Sequence, residues 1–229
     1  MANLVGQRLG KYEIKKVAGK GGMATVYRAH QPDMKRDVAV KVMTVDLAED
    51  EEFNARFRRE AETIAGLEHP YILPVYDFGQ HGDIVYLVMR YVDGGTLAKT
   101  LRDGPMSISR VDRLLSQMAG ALSYAHKRGV VHRDLKPANV LMDAQDNTYL
   151  TDFGIAKMMQ GTTVTQSGRL MGTPAYMAPE QWRSEPVDGR TDVYALGLMV
   201  YEMLVGVQPF FTETPHALMY EHLDRMPAH

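Results

Sequence analysis

The stretch VVHRDLKPANVLMD at residues 130–143 constrains the fold more than any other part of this chain. Five polar side chains fall within eight of its residues: His132, Arg133, Asp134, Lys136 and Asn139. Pro137 prevents a regular helix there, and apolar residues border the polar cluster on both sides. The pattern therefore predicts an irregular loop that emerges from a hydrophobic core, which is typical of a functional loop and not of a solvated surface.

A pair of metal-binding side chains is predicted by the residues that follow. The patterns NVLMD and TYLTD are typical of two short strands around the turn AQDN, and Asp152 comes 13 residues after Asn139. A hairpin would bring these two oxygen ligands together, and such ligands suit a hard cation such as Mg²⁺. Asp134 remains as a carboxylate that can take a proton from an attacking hydroxyl.

The stretch AGKGGMATVYRA at residues 18–29 is rich in glycine. Taken alone it leaves two interpretations open, a plain flexible turn or a loop whose amides approach a phosphate. Ala24 stands at the third position of the G-x-G-x-x-G pattern, and strand residues follow where a dinucleotide-binding fingerprint would open a helix. Within the whole chain the stretch is therefore interpreted as a flap over phosphates.

Lys41 lies in the alternating strand pattern DVAVKVM, where Val38, Val40 and Val42 share the opposite face. It is either a surface lysine on an edge strand or a cation that needs an anionic partner. The following charged stretch, EEFNARFRREAETIAGL, predicts a helix that ends near Gly66. Glu60 is the carboxylate on this helix that we expect to orient Lys41, because Phe57 and Ile64 flank it on the apolar stripe.

The periodicity of the chain changes from strands to helices near residue 92, and the predicted fold is α+β with two lobes. A segment of residues 1–11 precedes a small lobe at 12–92, which has an antiparallel sheet and one helix. A mostly helical lobe follows at 93–229. Its predicted elements are a short helix at 96–102, a helix at 107–128 that begins near Ser107 or Ser109 and ends before Gly129, a long loop at 155–178, and a buried helix within 193–207. A cleft between lobes is a favoured ligand site.

Composition excludes several classes of function. The 229 residues carry a formal net charge of −2, so no basic field indicates a nucleic-acid partner. There is no cysteine, which excludes thiolate metal sites and cysteine nucleophiles. The most apolar stretch, residues 193–207, contains Glu202 and is too short to span a bilayer, and the amino terminus lacks the pattern of a signal peptide.

Taken together, the motifs resemble those of a eukaryotic-type protein kinase, most closely the bacterial serine/threonine protein kinases. The resemblance runs from residue 10 to about residue 220. It rests on GKGGMATV, VAVK, FRREA, MRYVDGGTL, HRDLKPAN, DFG, GTPAYMAPE and DVYALG, in that order. It implies the two-lobed kinase fold, ATP as the nucleotide, and Mg²⁺ or Mn²⁺ as the cation.

The resemblance assigns catalytic roles to residues of both lobes. Asp134 would be the catalytic base, and Lys136 would contact the γ-phosphate. Lys41, braced by Glu60, would hold the α- and β-phosphates. The metal ligands would be Asn139 and Asp152.

The nucleotide-binding residues are assigned in the same way. Gly19, Gly21 and Gly22 would bring amides to the phosphates. The residues that surround the adenine would be Val26, Ala39, Met89, Arg90, Val92 and Leu141. Met89 matches the gatekeeper position, and residues 90–92 form the hinge. Arg90 stands where a glutamate is common in the family, but the hinge pairs through its backbone, so we expect little effect.

The acceptor and the regulation are implied by the resemblance as well. Lys136 and Thr173 are typical of the serine/threonine branch, so protein substrates with Ser or Thr acceptors are expected. Phosphate on the loop residues Thr163, Thr165 or Ser167 would pair with Arg133 and order the loop, after autophosphorylation in trans by a second copy. The other interpretation is that these three are ordinary polar loop residues.

Two structural expectations also come from the resemblance. His132 is expected to be structural, within a packed spine of Ile64, Val75, His132 and Phe153 anchored by Asp192. Glu180 is expected to lack its usual arginine partner, because the family's last helices would lie beyond residue 229. Apolar surface on the second lobe would then be exposed.

Three functions from different classes are compared. An active kinase is favoured because Lys41, Asp134 and Asp152 are all present. A nucleotide-binding scaffold without catalysis is the alternative, supported only by the missing carboxy-terminal helices. A kinase of small molecules is disfavoured, because GTPAYMAPE resembles a polypeptide docking loop. A cytoplasmic location is expected, and the resemblance allows a membrane-anchored parent protein.

Overall fold

The computed structural model describes residues 4–22, 24–43, 51–153, 174–212 and 214–225, with the side chains of 51–54 left out. The fold is α+β, as predicted. The chain divides into two compact units, one formed by Met1–Glu68 and Leu73–Val92 and the other by His69–Ile72 and Asp93–His229. The first unit contains an antiparallel sheet and one helix, whereas the second is mostly helical.

The sheet of the first unit has six strands in the order β1-β2-β3-β4-β6-β5, and every neighbouring pair is antiparallel. The strands are β1 (Arg8–Leu9), β2 (Tyr12–Lys20), β3 (Ala24–Gln31), β4 (Arg36–Met43), β5 (Val75–His81) and β6 (Ile84–Arg90). Three of the antiparallel pairs, β2–β3, β3–β4 and β5–β6, consist of strands that follow each other in the chain and are joined by short connections. The strand predicted from DVAVKVM is confirmed as part of β4.

The two faces of β4 have different surroundings, as the alternation predicts. Val38, Val40 and Val42 are fully buried in a core that includes Tyr12 and Ile14. The side chains between them point to the opposite face, because neighbouring side chains of a strand alternate. Lys41 is on that second face and is only 8% exposed, so it is not a surface lysine.

The helix α1 (Glu51–Ala65) covers this second face. Its Phe57 ring meets Phe78 of β5 edge-on, with ring centroids 6.4 Å apart. Phe78 pairs with Leu87, and Leu87 pairs with Lys41, so all three side chains point to one side of the sheet. The helix ends as predicted near Gly66, whose amide donates to the Glu62 carbonyl.

The second unit contains five α-helices among the described residues. They are α2 (Leu97–Thr100), α3 (Ile108–His126), α4 (Pro179–Trp182), α5 (Gly189–Val205) and α6 (Pro215–Asp224). The hydroxyl of Ser107 caps α3 by accepting from the Arg110 amide, which decides between the two predicted serines. Gly129 follows α3 with a φ of 73°, a conformation that glycine adopts at little cost. None of the helices described is long and apolar enough to cross a membrane.

The prediction of a buried helix within residues 193–207 is wrong in part. α5 does bury one face, including Ala195, Met199 and Met203, but Val193 is 60% exposed. Leu204 and Val205 at its end are exposed too, and Gly206 terminates the helix with a φ of 85°. Apolar residues are spread around the helix and do not form one stripe, so its sequence does not reveal which side its neighbours cover.

The helix α6 is attached to the unit through a buried histidine. His222 is 4% exposed and shares a 2.8 Å hydrogen bond with the Tyr194 hydroxyl of α5. Its ring also contacts Phe210, with centroids 4.8 Å apart, and faces Trp182 at 6.3 Å. Burial in this aromatic surrounding lowers the pKa of His222 to about 4.

This depressed pKa predicts that acid loosens the region around α6. Below about pH 6.5 the unfolded chain takes a proton at His222 and the folded chain does not, so stability is lost as the pH falls towards about 4. Between about pH 7 and about pH 5 the loss is about 2 kcal/mol. Urea titrations followed by the fluorescence of Trp182, the chain's one tryptophan, should show this loss. The loss should be smaller by that amount in His222→Gln and unchanged in the control His81→Gln, whose side chain is exposed. An equal loss in His222→Gln would contradict the assignment.

Candidate active site

The loop between α3 and the next strand brings two of the predicted polar residues, Lys136 and Asn139, into contact with Asp134. Lys136 Nζ donates to both carboxylate oxygens of Asp134, at 2.9 and 2.8 Å. Asn139 Nδ2 donates to the main-chain oxygen of Asp134 at 2.8 Å and to its Oδ2 at 3.1 Å. Charge-assisted hydrogen bonds of this kind hold a carboxylate in one orientation. Asp134 is therefore preorganised at a partly exposed position, with a cation directly beside it.

Asp192 of α5 holds the start of this loop. Its carboxylate is 1% exposed and accepts three hydrogen bonds. The main-chain amides of His132 and Arg133 donate at 2.8 and 2.9 Å, and His126 Nε2 lies 2.7 Å away. A buried carboxylate is costly unless it is hydrogen-bonded, so these donors are what make Asp192 tolerable here. In return it fixes the backbone immediately before Asp134.

His132 is fully buried, which agrees with a structural role. Its Nε2 lies 2.9 Å from the main-chain oxygen of Thr151, and its ring packs on Phe153 with centroids 4.6 Å apart. Both neighbours flank Asp152. The histidine thus links the Asp134 loop to the segment that carries Asp152.

The two short strands predicted around AQDN form a hairpin of β7 (Val140–Met142) and β8 (Thr148–Leu150). The Thr151 amide donates to the Asn139 carbonyl at 3.0 Å, so the residues before β7 and after β8 lie side by side. Asp152 follows with a φ of 68°, a left-handed conformation that aspartate adopts more readily than most residues.

The oxygen ligands available at this hairpin fit Mg²⁺. Because Asn139 uses its Nδ2 on Asp134, its Oδ1 can serve as a ligand, and Asp152 provides a carboxylate. No cluster of three or more metal-ligating His, Asp or Glu side chains occurs in the part of the chain that the structure describes. Two protein ligands completed by water and phosphate oxygens are usual for Mg²⁺, which keeps several of its waters.

Residues of α3 that sequence reasoning missed hold the hairpin in place. Gln117 is buried, and its Oε1 accepts from the Thr148 amide at 2.8 Å and the Thr148 hydroxyl at 3.0 Å. Arg110 and Arg113 both pair with Asp146 in the turn. Burial raises the pKa of Asp146, but the two arginines outweigh it and hold that pKa below its usual range. In the sequence, the one sign of these ion pairs is the acidic residue of the turn AQDN.

In the first unit the predicted nucleotide residues share the sheet face that carries Lys41. Val26 pairs with Lys41, and Ala39 pairs with Met89, so all four side chains point to one side. Glu60 is 9% exposed and comes one turn after Phe57, on the side of α1 that faces the sheet. Lys41 and Glu60 each have an interaction partner, as buried charges require.

The glycine-rich turn lies between β2 and β3. The Gly21 amide donates to the Ala24 carbonyl at 2.9 Å, which closes the turn. A β-carbon on Gly19 or Gly22 would meet nothing within 4 Å, and none of the three glycines has a positive φ. Neither packing nor backbone conformation therefore requires glycine here. The remaining explanation for glycine at these positions is a ligand that approaches the backbone closely.

The hinge residues and Leu141 are placed as follows. Met89 is buried at the end of β6, and the amide of the exposed Arg90 donates to the Pro74 carbonyl at 3.0 Å. Val92 is half-buried in the first unit. Leu141 is half-buried in the second unit, where it bridges to Thr96.

Several predicted residues lie outside the described part of the chain, which leaves out residues 154–173. They are Thr163, Thr165, Ser167 and Thr173. The described chain resumes with a 3-10 helix, Pro174–Tyr176. The predicted loop at 155–178 therefore stays a prediction for its larger part.

The resemblance predicts that Glu180 lacks its usual arginine partner, and in the structure a threonine hydroxyl contacts its carboxylate. The hydroxyl of Thr191, at the start of α5, donates to Glu180 Oε1. A second contact that the sequence did not predict joins the Tyr176 hydroxyl to Glu202. Burial raises the pKa of Glu202, and the hydrogen bond from Tyr176 opposes this effect. Both pairs join residues far apart in sequence, which no local pattern reveals.

Comparisons with known proteins agree with this geometry. A family model described as the protein kinase domain matches residues 12–228. The serine/threonine-protein kinase PknB of Mycolicibacterium smegmatis is 43% identical over 224 residues, which is 95% of this chain and 36% of that protein. For PrkC of Bacillus subtilis the identity is 41% over 222 residues, which is 96% of this chain and 34% of that protein. The chain thus spans about a third of the length of these curated relatives.

A solved structure is similar as well. The crystal structure of a mutant PknI kinase domain from Mycobacterium tuberculosis superposes with a TM-score of 0.75 at 34% identity. The match covers 92% of this chain and 80% of that chain.

The contacts of Asp192 predict a large effect from a small substitution. Asp192→Asn leaves one acceptor oxygen, so an amide group of the new side chain faces His132 or Arg133 N–H. We expect a loss of about 3 kcal/mol in the free energy of unfolding, measured by urea titration. Asp188→Asn is the matched control, because asparagine caps the start of α5 as well as aspartate does. Equal stabilities of the two variants would show that Asp192 does not hold the loop.

Proposed function

This chain belongs to the protein kinase domain family, and we propose that it transfers the γ-phosphate of ATP to serine or threonine hydroxyls of proteins. The observation that carries the proposal is the arrangement at Asp134, whose carboxylate is oriented by Lys136 at 2.8 Å and by Asn139 at 3.1 Å. This arrangement favours phosphate transfer over a nucleotide-binding scaffold, which does not need an oriented carboxylate with an adjacent cation at this loop, and the family favours protein acceptors over small molecules.

The chemistry requires positioning more than bond making by the protein. The hydroxyl oxygen of the acceptor attacks the γ-phosphorus, the bond from that phosphorus to the bridging oxygen of ADP breaks, and the hydroxyl proton passes to Asp134. The transition state is loose and spreads negative charge over the transferred oxygens. Asp134 Oδ1 and Oδ2 orient the hydroxyl, and Lys136 Nζ places positive charge next to the transferred group.

The cation has a separate part in this proposal. Asn139 Oδ1 and the Asp152 carboxylate would hold Mg²⁺, with Mn²⁺ as a substitute. When bound, the cation neutralises charge on the phosphate oxygens of ATP. The main-chain hydrogen bond from Thr151 to Asn139 and the contact of His132 with Thr151 hold the segments that carry the two ligands next to each other.

The first unit would bind the nucleotide. Lys41 would hold the α- and β-phosphates and Glu60 would orient it, since both are buried on the same side of the sheet. Val26, Ala39 and Met89 would supply apolar contacts for the adenine on that side, and Leu141 is a further member of the predicted adenine-binding set. The hinge, Arg90 to Val92, would pair with the adenine edge through its backbone. Gly19, Gly21 and Gly22 would bring amides to the phosphates.

Acceptor choice and regulation are the finer parts of the proposal. Thr173, with Lys136, would favour serine and threonine acceptors. Autophosphorylation of Thr165 or Ser167, and less so of Thr163, would occur in trans between two copies of the chain. Arg133, next to Asp134, supplies a guanidinium that can pair with such a phosphate. We expect the domain to act in the cytoplasm, where ATP is available, as part of a longer protein.

Removal of the base or of the strand lysine tests the activity. Asp134→Asn should lower the rate of ³²P transfer to casein by roughly 10²–10³-fold, because the hydroxyl loses its proton acceptor. Lys41→Met should lower it by a similar factor, because the phosphates lose a fixed cation. The exposed substitutions Asp112→Asn and Lys16→Met are matched controls that should leave the rate unchanged.

The outcomes separate the competing functions. A wild type that binds fluorescent ADP but transfers nothing to any protein would be a nucleotide-binding scaffold. Transfer to small molecules alone would indicate a kinase of small molecules. Equal rates in wild type and Asp134→Asn would contradict the assignment of the base.

Mass spectrometry tests the regulation. After incubation of the wild type with Asp134→Asn protein, ATP and Mg²⁺, we expect phosphate on Thr165 and Ser167 of the inactive variant, because transfer occurs between copies. Arg133→Ala should remove the activation that follows phosphorylation. Phosphate confined to the wild-type chain itself would contradict transfer in trans.

A further inference from the structure

The main chain at Arg133, directly before the proposed base, is held in an unfavourable conformation. Arg133 has a φ of 70°, in the left-handed region that residues with a β-carbon seldom adopt. Such a conformation costs on the order of 1–3 kcal/mol and persists only where the surroundings enforce it. The position of Asp134 therefore depends on whatever holds this one residue.

Two side chains bind the two main-chain polar groups of Arg133. The Asp192 Oδ1 accepts from its amide at 2.9 Å. On the other side, Gln181 Nε2 donates to its carbonyl oxygen at 2.8 Å. Asp192 comes from α5 and Gln181 from α4, so separate helices hold the residue from its two ends.

The bond from Gln181 acts on Asp134 through a rigid group. The carbonyl of Arg133 and the amide of Asp134 belong to one planar peptide unit. The other end of that unit points to His132 Nδ1, with the Asp134 nitrogen 3.4 Å away. A long contact of that kind is weak, so the 2.8 Å bond from Gln181 is the stronger restraint on the plane to which Asp134 is joined.

Gln181 is itself oriented by its other amide atom. Its Oε1 accepts from the Ala178 amide at 3.0 Å, which leaves Nε2 directed at Arg133. Ala178 follows the 3-10 helix Pro174–Tyr176, so Gln181 connects the main chain of that segment to the loop of the base.

We propose that Gln181 is a positioning residue for Asp134, an inference that rests on the proposed kinase function. Its carboxamide fixes the peptide plane between Arg133 and Asp134 and thereby aims the carboxylate at the acceptor hydroxyl.

The simpler explanation is that Gln181 only caps the start of α4. That role needs Oε1 alone, and a glutamate at this position of a helix fills it at least as well. The bond to the Arg133 carbonyl needs an N–H donor, which glutamate lacks at neutral pH. The two explanations therefore predict different results for one isosteric substitution, Gln181→Glu.

The experiment compares Gln181→Glu and Gln181→Met with the wild type. Glutamate keeps the cap and loses the donor, and methionine loses both without adding charge. Gln208→Met is the matched control, because Gln208 Nε2 donates at 3.1 Å to the Tyr176 hydroxyl and not to the loop of the base. The measurement is the single-turnover rate of phosphate transfer to casein at saturating ATP, with the KM for ATP and the ADP-binding fraction of each preparation.

We expect both Gln181 variants to transfer roughly tenfold more slowly per ADP-binding molecule, with KM for ATP changed less than about twofold. Gln208→Met should stay within about twofold of wild type. A wild-type rate in Gln181→Glu would overturn the proposal in favour of the cap. A slow Gln181→Glu beside a normal Gln181→Met would overturn it too, since added charge would then be the cause.

Amide hydrogen exchange without nucleotide gives a test that does not depend on activity. In Gln181→Met the peptide that covers residues 130–136 should exchange faster than in wild type, and in Gln208→Met it should not. If the wild type transfers no phosphate, the proposed function fails and the exchange result still decides whether Gln181 holds the loop. Unchanged exchange in Gln181→Met would refute the inference.

Discussion

The arrangement of the loop that carries Asp134 depends on one buried carboxylate, that of Asp192. It accepts from two successive main-chain amides and lies against the ring of His126, all between 2.7 and 2.9 Å. Those amides open the loop that ends at Asn139. Asp192 belongs to α5, the most apolar of the described helices. The polar loop is therefore held in place by a residue that is itself fixed in the hydrophobic core. A mobile surface residue could not serve in that way.

From Asp192 the restraint passes outward through short contacts. Its bonds fix His132, whose ring packs on Phe153 and whose Nε2 meets the Thr151 carbonyl. Thr151 in turn binds the Asn139 main chain. The proposed base, Asn139 and the residues on either side of Asp152 are thus joined by one connected set of contacts. Losing any member leaves a buried polar group unpaired, which is why such sets tend to move as a unit.

In the first unit, the side chains are positioned by the two-residue period of a strand. Six successive residues of β4 are buried, yet the valines close a core while Ala39 and Lys41 face the other way. Lys41 is 8% exposed there and has an interaction partner, as a buried charge requires. The glycines of the β2–β3 turn have open space around them, which favours an external partner close to the backbone.

The sequence alone was enough to predict the α+β fold, the kinase family and elements such as β4, α1, α3 and the β7–β8 hairpin, since these depend on periodicity, turn residues and ordered motifs. It failed where distant residues decide the outcome. The exposed side of α5, the Thr191 partner of Glu180, the attachment of Asp146 to α3 and the bond from Gln181 to Arg133 all join segments far apart in the chain. Local patterns record how a segment folds, whereas burial and long-range pairing depend on which surfaces meet, and only the tertiary structure decides that.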